Sequence, residues 1–355
     1  MDDNNKIKIN MLSMADSVDG QGVGSAYLEL MKLLNEDGKN DFEIFLNKGT
    51  KYDVIHAHTV EPRNYLKLKF SKNPTVAYVH FLPDTLDGSI KLPKPIFKIF
   101  KKYVISFYKS ADYLVVVNPI FKKDIAKAGI KEDKITYIPN FVSKEMFYKK
   151  TDKEIKDIRK KLGIKENKFV VLGAGQIQNR KGVIDFVEVA KKLPKIDFIW
   201  AGGFSFGGIT DGHHDLKKIM ENPPKNVRFL GIVPRNEMND LFNASDLLFV
   251  PSYNELFPMT ILEAISTDTP ILLRDLELYE DILFKKYLKG SNNDEFSEII
   301  KLLSKDKKEY QKQVENAKEI SKFYSKEHVY KMWKEFYTEI AKKKKKEKKK
   351  RKKSE

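Results

Sequence analysis

Two glutamates eight positions apart are the first candidates for chemistry in this sequence. In "SYNELFPMTILEA" (252–264), Glu255 precedes a Phe-Pro pair and Glu263 lies inside an apolar helical pattern. Pro258 suits the start of a helix, where its missing N–H would be unpaired anyway. Free backbone N–H groups at a helix start bind phosphate, and carboxylates accept hydrogen bonds from sugar hydroxyls. The stretch predicts a site for an extended ligand with a diphosphate in its middle, although a loop carboxylate and an ordinary helix residue would give the same spacing.

Two adjacent cations form the second candidate group. In "GAGQIQNRKGVIDFV", Arg180 and Lys181 follow an apolar strand and precede Gly182 and a helical pattern. Two positive charges at the carboxyl end of a strand can neutralise a diphosphate leaving group. The alternative is an exposed basic turn. The order of Arg180, Lys181, Glu255 and Glu263 within one predicted domain favours the functional interpretation.

A glycine-rich loop and three histidines could contribute further contacts. Gly22 lies in "GQGVG" (20–24), whose spacing differs from the dinucleotide fingerprint but would still let backbone approach a ligand, unless it is a plain tight turn. His56 and His58 alternate along one predicted strand, and a core role is expected for His56. His80 ends the next strand, where an imidazole could bind hydroxyls or act on protons. No spacing typical of zinc ligands or of a divalent-cation carboxylate pair is present, so we expect no metal and no cofactor.

These residues are positioned by short apolar runs that alternate with helical patterns. Such alternation predicts parallel sheets covered by helices, with ligands bound at the carboxyl ends of the strands. The pattern occurs twice, which predicts two doubly wound α/β domains joined by a partly helical linker at 148–167. The predicted strands are 6–12, 52–59, 75–81 and 113–118 in the first set and 168–176, 196–203, 227–233, 246–252 and 270–275 in the second.

Composition restricts the class of protein. The 355 residues contain no cysteine, which excludes disulfides and fits a reducing compartment. The start lacks the apolar run of a secretory signal, and no stretch is long and apolar enough to span a membrane. The net charge is +16, of which the last fourteen residues, "KKKKKEKKKRKKSE", carry +9. This tail is expected to be solvated and disordered, and a positive surface favours nucleic acid, anionic lipid or acidic ligands.

The segment "LPKPIFKIFKKYVISFYKS" (92–110) predicts a basic, aromatic-rich helix that could lie on an anionic bilayer. Its proposed membrane or acceptor contacts are Lys98, Phe100, Lys101, Lys102 and Phe107. A core-packed helix with a solvated lysine face is the alternative.

The motifs "GQGVG", "DVIHAH", "YVH", "YIPN", "GQIQNRKG" and "NELFPMTILEA" together resemble the retaining, nucleotide-sugar-dependent glycosyltransferases. The resemblance runs from about residue 6 to 340 and implies an α/β fold of the GT-B type, with two facing Rossmann-like domains and a cleft between them. Longer stretches such as "HFLPDTLDGSIKLPKPIFKIFKKYVISFYKSADYLVVVNP" and "WAGGFSFGGITDG" resemble bacterial glycolipid synthases that add a second hexose to a monoglycosyl-diacylglycerol.

This resemblance also implies roles for individual residues. Glu255 would contact the hydroxyls of the donor hexose, and Glu263 the ribose of the nucleotide. Arg180 and Lys181 would stabilise the leaving diphosphate. Gly22 would lie against the phosphate and His80 near the hexose and acceptor. The backbone amides that would cradle hexose and phosphate belong to Leu256, Phe257, Pro258 and Met259.

The implied activity is retaining transfer of a hexose, galactose before glucose, from a UDP-sugar to monoglucosyl-diacylglycerol, without a metal. The product would be a diglycosyl-diacylglycerol membrane lipid or lipoteichoic acid anchor. The partners would be UDP-hexose, the glycolipid acceptor and an anionic membrane surface. A soluble enzyme of the same fold acting on a cell-wall or capsule precursor is one alternative. A nucleic-acid-binding protein using the basic tail is another, but the chain has no nucleic-acid-binding motif, so no nucleic acid partner is expected.

The expected domain organisation follows from the two strand sets. Residues 1–150 would form the acceptor- and membrane-facing domain, and residues 151–325 the nucleotide-sugar domain. A helix at 326–341 would return to the first domain, and residues 342–355 would be the disordered basic tail. The enzyme would be cytoplasmic and bound peripherally to the inner face of the cell membrane.

Overall fold

The computed structural model of the chain describes residues 6–14, 22–48, 51–82, 93–204, 212–255 and 258–354. These residues divide into two compact units. The first contains the described residues of Met1–Asp84, Leu92–Phe141 and Ser325–Glu355, and the second contains Val142–Tyr324 wherever it is described. Each unit holds one six-stranded sheet whose strands pair in parallel, which confirms the predicted pair of α/β domains. The boundary at Phe141 lies earlier than the predicted end of the first domain at residue 150.

The sheet of the first unit has the strand order β2-β1-β3-β4-β5-β6. Its strands are β1 (Ile7–Leu12), β2 (Phe42–Leu46), β3 (Val54–Ala57), β4 (Thr75–Val79), β5 (Tyr113–Val116) and β6 (Ile135–Tyr137). Every residue of β3 and β4 is buried, as expected for parallel strands covered on both faces. The sequence did not predict β2 and β6. These two strands form the edges of the sheet and are only partly buried, so their apolar signal is weak.

The α-helices of the first unit that precede Phe141 are α1 (Gly22–Lys32), α2 (Pro62–Lys69), α3 (Lys94–Lys109) and α4 (Phe121–Lys127). The basic helix α3 packs Val104, Phe107 and Tyr108 into the core, each at most 1% exposed. The expectation that Phe107 contacts a membrane is therefore wrong. Aromatic residues at helical spacing here form the core-facing stripe of an amphipathic helix.

The sheet of the second unit has the strand order β12-β11-β10-β7-β8-β9. Its strands are β7 (Val170–Ala174), β8 (Asp197–Ala201), β9 (Val227–Phe229), β10 (Leu247–Val250), β11 (Ile271–Arg274) and β12 (Leu288–Gly290). From β7 the chain first adds strands on one side and then returns to place β10 on the other. Ligands of doubly wound sheets bind at such a reversal, beyond the carboxyl ends of the two central strands.

The helices of the second unit cover this sheet. They are α5 (Asp152–Lys161), α6 (Val183–Lys192), α7 (His213–Glu221), α8 (Arg235–Ala244), α9 (Met259–Ser266), α10 (Leu278–Ile282), α11 (Asn293–Leu303) and α12 (Lys307–Phe323). Phe186 of α6 lies 5.3 Å from the ring of Phe198, 5.1 Å from Trp200 and 5.8 Å from Phe249. This aromatic packing fixes α6 against β8 and β10, and so fixes the loop that precedes α6.

The last helix, α13 (Lys326–Ser354), belongs to the first unit. Its Trp333 and Tyr337 are buried, and the Tyr337 hydroxyl lies 2.6 Å from Nδ1 of His56. The helix continues to Ser354, where a disordered tail was expected. Lysine, arginine and glutamate are good helix formers, and the packed first half of α13 supplies the nucleus for them. In the described part of the chain no helix is long and apolar enough to cross a membrane.

Candidate active site

The loops after β7 and β10 meet at the strand-order reversal of the second unit. Gly182, which directly precedes α6, has a φ of +68°, and a Cβ there would lie 2.4 Å from the carbonyl oxygen of Pro251. Only glycine tolerates both the left-handed backbone and this close approach. The sequence "RKG" is thus explained locally, because its glycine lets the loop after β7 pack directly on the loop after β10.

Arg180 ties these two loops together. Its Nε donates to Oε1 of Gln178 at 2.9 Å, and its Nη1 donates to the carbonyl oxygen of Asn254 at 3.1 Å. The backbone N–H of Tyr253 in turn donates to the carbonyl oxygen of Arg180 at 2.8 Å. The guanidinium is therefore held in place before any ligand binds, which is what electrostatic stabilisation of a developing charge requires.

Lys181 and Glu255 form a buried ion pair. Their side chains are 13% and 7% exposed, and the Lys181 ammonium donates to the Glu255 carboxylate. Burial alone would raise the pKa of Glu255, but Lys181 and Arg180 together hold that pKa below its ordinary value. Burial lowers the pKa of Lys181, and Glu255 opposes this effect only in part. The sequence predicted these three residues as site candidates, and the structure brings them together from two loops.

Glu263 lies in α9 and is 5% exposed. Its Oε1 lies 3.7 Å from Nε of Arg235, the first residue of α8. Arg235 also stacks over Phe147, with its guanidinium carbon 5.4 Å from the ring centroid. Sequence reasoning missed Arg235, since no local pattern connects residues on two separate helices. A fixed carboxylate can accept hydrogen bonds from a pair of vicinal hydroxyls, which is what a ribose presents.

The amides predicted to cradle the donor are described only in part. Leu256 and Phe257 lie outside the described residues. Pro258 directly precedes α9 with a φ of −68°, and Met259 begins that helix. The helix start therefore comes at the position that the Phe-Pro signal predicted.

Arg274 is a second buried cation that the sequence analysis did not select. It ends β11, and its guanidinium carbon lies 3.8 Å from the centroid of the Tyr253 ring. The available signal was a charged residue at the end of the apolar run "PILLRD". Charge at the carboxyl end of a parallel strand is the same signal that identified Glu255.

Three histidines of the first unit form an aromatic cluster with Tyr78: His56 lies in β3, and His58 and His80 directly follow β3 and β4. The ring of His80 lies 4.1 Å from that of His58 and 4.3 Å from that of Tyr78. Burial lowers the pKa of His80 to about 3 and that of His56 to about 3, so both rings are neutral at physiological pH. The core role expected for His56 is confirmed, because it is fully buried and bonded to Tyr337. Part of His80 remains accessible to solvent, and its neutral ring can exchange hydrogen bonds with hydroxyl groups.

The remaining predicted residues of the first unit lie at its surface or at a helix start. Gly22 is the first residue of α1. On α3, Lys98 and Lys102 are exposed, whereas Phe100 and Lys101 are partly buried.

Comparison with known proteins identifies the family to which the chain belongs. Residues 39–145 match the family model described as glycosyltransferase family 4, and residues 154–320 match glycosyl transferases group 1. The chain is 48% identical, over 94% of its length and 89% of the relative, to alpha-galactosylglucosyldiacylglycerol synthase of Streptococcus pneumoniae. It is 29% identical, over 90% of its length and 94% of the relative, to processive diacylglycerol alpha-glucosyltransferase of Acholeplasma laidlawii.

Solved structures agree on the fold. The crystal structure of Anabaena Alr3699/HepE in complex with UDP and glucose aligns with a TM-score of 0.72 at 17% identity, covering 94% of this chain and 99% of that one. The sucrose-phosphate synthase of Thermosynechococcus elongatus aligns with a TM-score of 0.76 at 14% identity, covering 94% and 99%. The two family models and the 48% identity over 94% of the chain to a glycolipid synthase show the family: the chain belongs to the glycosyltransferases, with a family 4 match in its first part and a group 1 match in its second.

Proposed function

We propose that this protein transfers a hexose from a UDP-sugar to monoglucosyl-diacylglycerol, with retention of configuration and without a metal ion. The observation that carries the proposal is the cluster of Arg180, Lys181 and Glu255 at the strand reversal of the second unit. The two cations would neutralise the charge of a diphosphate, and the carboxylate would accept hydrogen bonds from the hydroxyls of a hexose. The cluster offers both within one pair of touching loops.

The donor would lie along the start of α9. Arg180 and Lys181 would face the diphosphate, Glu255 the hexose hydroxyls and Glu263 the ribose. During transfer, the bond between the hexose C1 and the diphosphate oxygen breaks, and a bond forms from C1 to the acceptor hydroxyl oxygen. The acceptor's proton passes to the leaving phosphate, whose negative charge the two cations stabilise. This balance requires no carboxylate nucleophile, and we assign none.

The names of the relatives support the choice of sugar and acceptor. The Streptococcus pneumoniae relative is an alpha-galactosylglucosyldiacylglycerol synthase, and that of Acholeplasma laidlawii is a processive diacylglycerol alpha-glucosyltransferase. Galactose is therefore the first choice for the hexose and glucose the second. UDP-hexoses of this kind are α-linked, so an α-linked product would correspond to retention.

The acceptor is a lipid, so the enzyme would work at the inner face of the cell membrane. Helix α3 supports this placement, because Ile96 and Ile99 on its outer side are 52% and 69% exposed. On the same helix, a groove of about 490 Å³ is lined by Lys101, Lys102, Ile105, Ser106 and Lys109. Lysines beside exposed isoleucines suit a bilayer with anionic headgroups, and each lysine near such a surface contributes about 1 kcal/mol.

The test is a panel of UDP-sugars combined with lipid acceptors. We expect turnover with UDP-galactose and monoglucosyl-diacylglycerol to exceed that with UDP-glucose and with unglycosylated diacylglycerol. The anomeric proton coupling of the product, measured by NMR, should report an α linkage. A β-linked product, or transfer only to a soluble cell-wall precursor, would contradict the proposal.

A further inference from the structure

Arg274, at the end of β11, is a buried cation to which the transfer steps assign no task. Its side chain is 10% exposed. The Nε donates to the carbonyl oxygen of Pro251 at 2.9 Å, and the Nη1 donates to that of Ser291 at 3.2 Å. A buried charge is tolerated when it is paired and hydrogen-bonded, and the planar fork of arginine can reach several acceptors at once. These contacts fix the guanidinium in one orientation.

Two more side chains complete the arrangement. Nη2 of Arg274 lies 3.2 Å from Oδ2 of Asp185 in α6. The same carboxylate oxygen accepts a hydrogen bond of 2.7 Å from the Tyr253 hydroxyl. The Tyr253 ring covers the guanidinium at 3.8 Å, which is a close cation–π contact. A strand end, a helix and the loop after β10 are thus joined through one guanidinium.

The element held in this way is the loop that carries Glu255. Arg274 binds this loop at Pro251 through a hydrogen bond and at Tyr253 through the ring. In addition, the Arg180 carbonyl accepts a hydrogen bond from the N–H of Tyr253. The two arginines therefore both contact the segment 251–253, and Glu255 follows it by two residues.

We propose that Arg274, together with Asp185 and Tyr253, is a positioning residue that sets the loop so that Glu255 meets the donor hexose. The inference rests on the proposed function, which places the hexose at Glu255. Displacing a positioning group by about 1 Å can lower turnover about 100-fold. Glu263, the residue proposed to bind the ribose, lies in α9 and not in this loop, so UDP binding should depend on Arg274 far less than turnover does.

The chain offers a matched control for this residue. Arg159 is also a buried arginine, 14% exposed, that donates to the carbonyl oxygen of Ala244 at 2.9 Å and pairs with Asp246 at 2.7 Å. Asp246 directly precedes β10, so this pair lies at the amino ends of the strands, away from the candidate site. Loss of Arg159 should lower the melting temperature as loss of Arg274 does, without a specific effect on turnover.

The experiment compares Arg274→Ala, Arg274→Lys and Arg159→Ala with the wild type, each assayed below its melting temperature. The measured quantities are the kcat for transfer to the lipid, the kcat for hydrolysis of UDP-galactose to galactose and UDP, and the Kd of UDP. Arg274→Ala should lose about 100-fold in both kcat values with a nearly unchanged Kd of UDP. Millimolar guanidinium should restore part of this loss in Arg274→Ala, but not in Arg159→Ala.

The inference is overturned if Arg274→Ala and Arg159→Ala have the same kcat, or if turnover and UDP binding fall together without rescue. If Arg274→Ala does not fold, Arg274→Lys decides, because a wild-type kcat in that variant contradicts a role for the guanidinium fork. If the wild type hydrolyses UDP-galactose but glycosylates no lipid, the proposed acceptor is wrong. The comparison of hydrolysis rates then still decides the role of Arg274.

Discussion

The ion pair of Lys181 and Glu255 allows a quantitative prediction about stability. In Glu255→Gln, the carboxylate between two cations is lost while both cations stay in place. Removing one partner of a buried pair costs about 3–5 kcal/mol of unfolding free energy. Side chains that are 13% and 7% exposed qualify as such a pair. Because 1 kcal/mol corresponds to about 2–4 °C for a unit of this size, the melting temperature should fall by about 6–20 °C at pH 7.

The pH dependence of this loss follows from the direction of the pKa of Lys181. Burial already lowers that pKa, and Glu255 is the group that opposes the shift. In Glu255→Gln the folded-state pKa should fall further below its unfolded value of about 10.4. The folded state then binds fewer protons than the unfolded state, so stability rises as pH rises from the folded to the unfolded pKa. The deficit of Glu255→Gln should therefore shrink as the pH rises toward the unfolded pKa of about 10.4.

These effects are measured by thermal unfolding, followed by circular dichroism at pH 7 and pH 9.5. The proteins compared are the wild type, Glu255→Gln, Lys181→Met and the double variant. The double variant should be more stable than the sum of the single losses predicts, since it leaves no unpaired partner. The exposed pair of Lys192 and Asp294, 43% and 87% exposed, provides the control. Lys192→Met should change the unfolding free energy by less than about 1 kcal/mol. Additive losses with no change of the Glu255→Gln deficit with pH would refute the buried ion pair.

Three further predictions concern the donor, the metal and the membrane. Glu263→Gln should raise the Kd of UDP by about 10- to 100-fold with little change in kcat, because a charged hydrogen bond contributes about 1.5–3 kcal/mol; an unchanged Kd in calorimetry would contradict ribose binding there. EDTA should leave transfer unchanged, since the described residues contain no cluster of three or more carboxylate, imidazole or thiol groups that could hold a metal ion. A loss of activity that magnesium or manganese restores would contradict this prediction. Binding to anionic vesicles should weaken at high salt but persist, and both Ile99→Ser and deletion of 342–355 should lower it, whereas Leu302→Ser, an exposed apolar control, should not. Equal sedimentation of all forms with neutral and anionic vesicles would contradict this prediction.

The site candidates could be predicted from sequence because strand ends are recognisable. Glu255 follows the apolar run that became β10, and Arg180 and Lys181 follow the one that became β7. The pairing of Lys181 with Glu255 could not be predicted, since the two residues are 74 positions apart in the chain. Such contacts depend on strand order, which a sequence pattern leaves open.

Other differences between the predictions and the structure also arise because tertiary packing is not visible in a sequence pattern. Apolar periodicity identified α3 but did not show which of its apolar residues face the core. Phe107 is buried and Ile99 is exposed, because Phe107 belongs to the core-facing stripe of the helix and Ile99 does not. The short edge strands β2, β6 and β12 carry too few buried residues to stand out. The predicted disorder after residue 341 relied on net charge, whereas α13 continues through residues of high helix propensity.

The most direct test of the account is the rate of galactose transfer from UDP-galactose to monoglucosyl-diacylglycerol by Lys181→Met and Lys192→Met, assayed below both melting temperatures. Both variants lose one ammonium group from the second unit, but only Lys181 lies beside Glu255 and Arg180. If Lys181 stabilises the leaving diphosphate, its loss should lower kcat by about 100-fold or more, while Lys192→Met keeps the wild-type rate. A folded Lys181→Met that transfers galactose at the wild-type rate would contradict the assignment of this cluster as the active site.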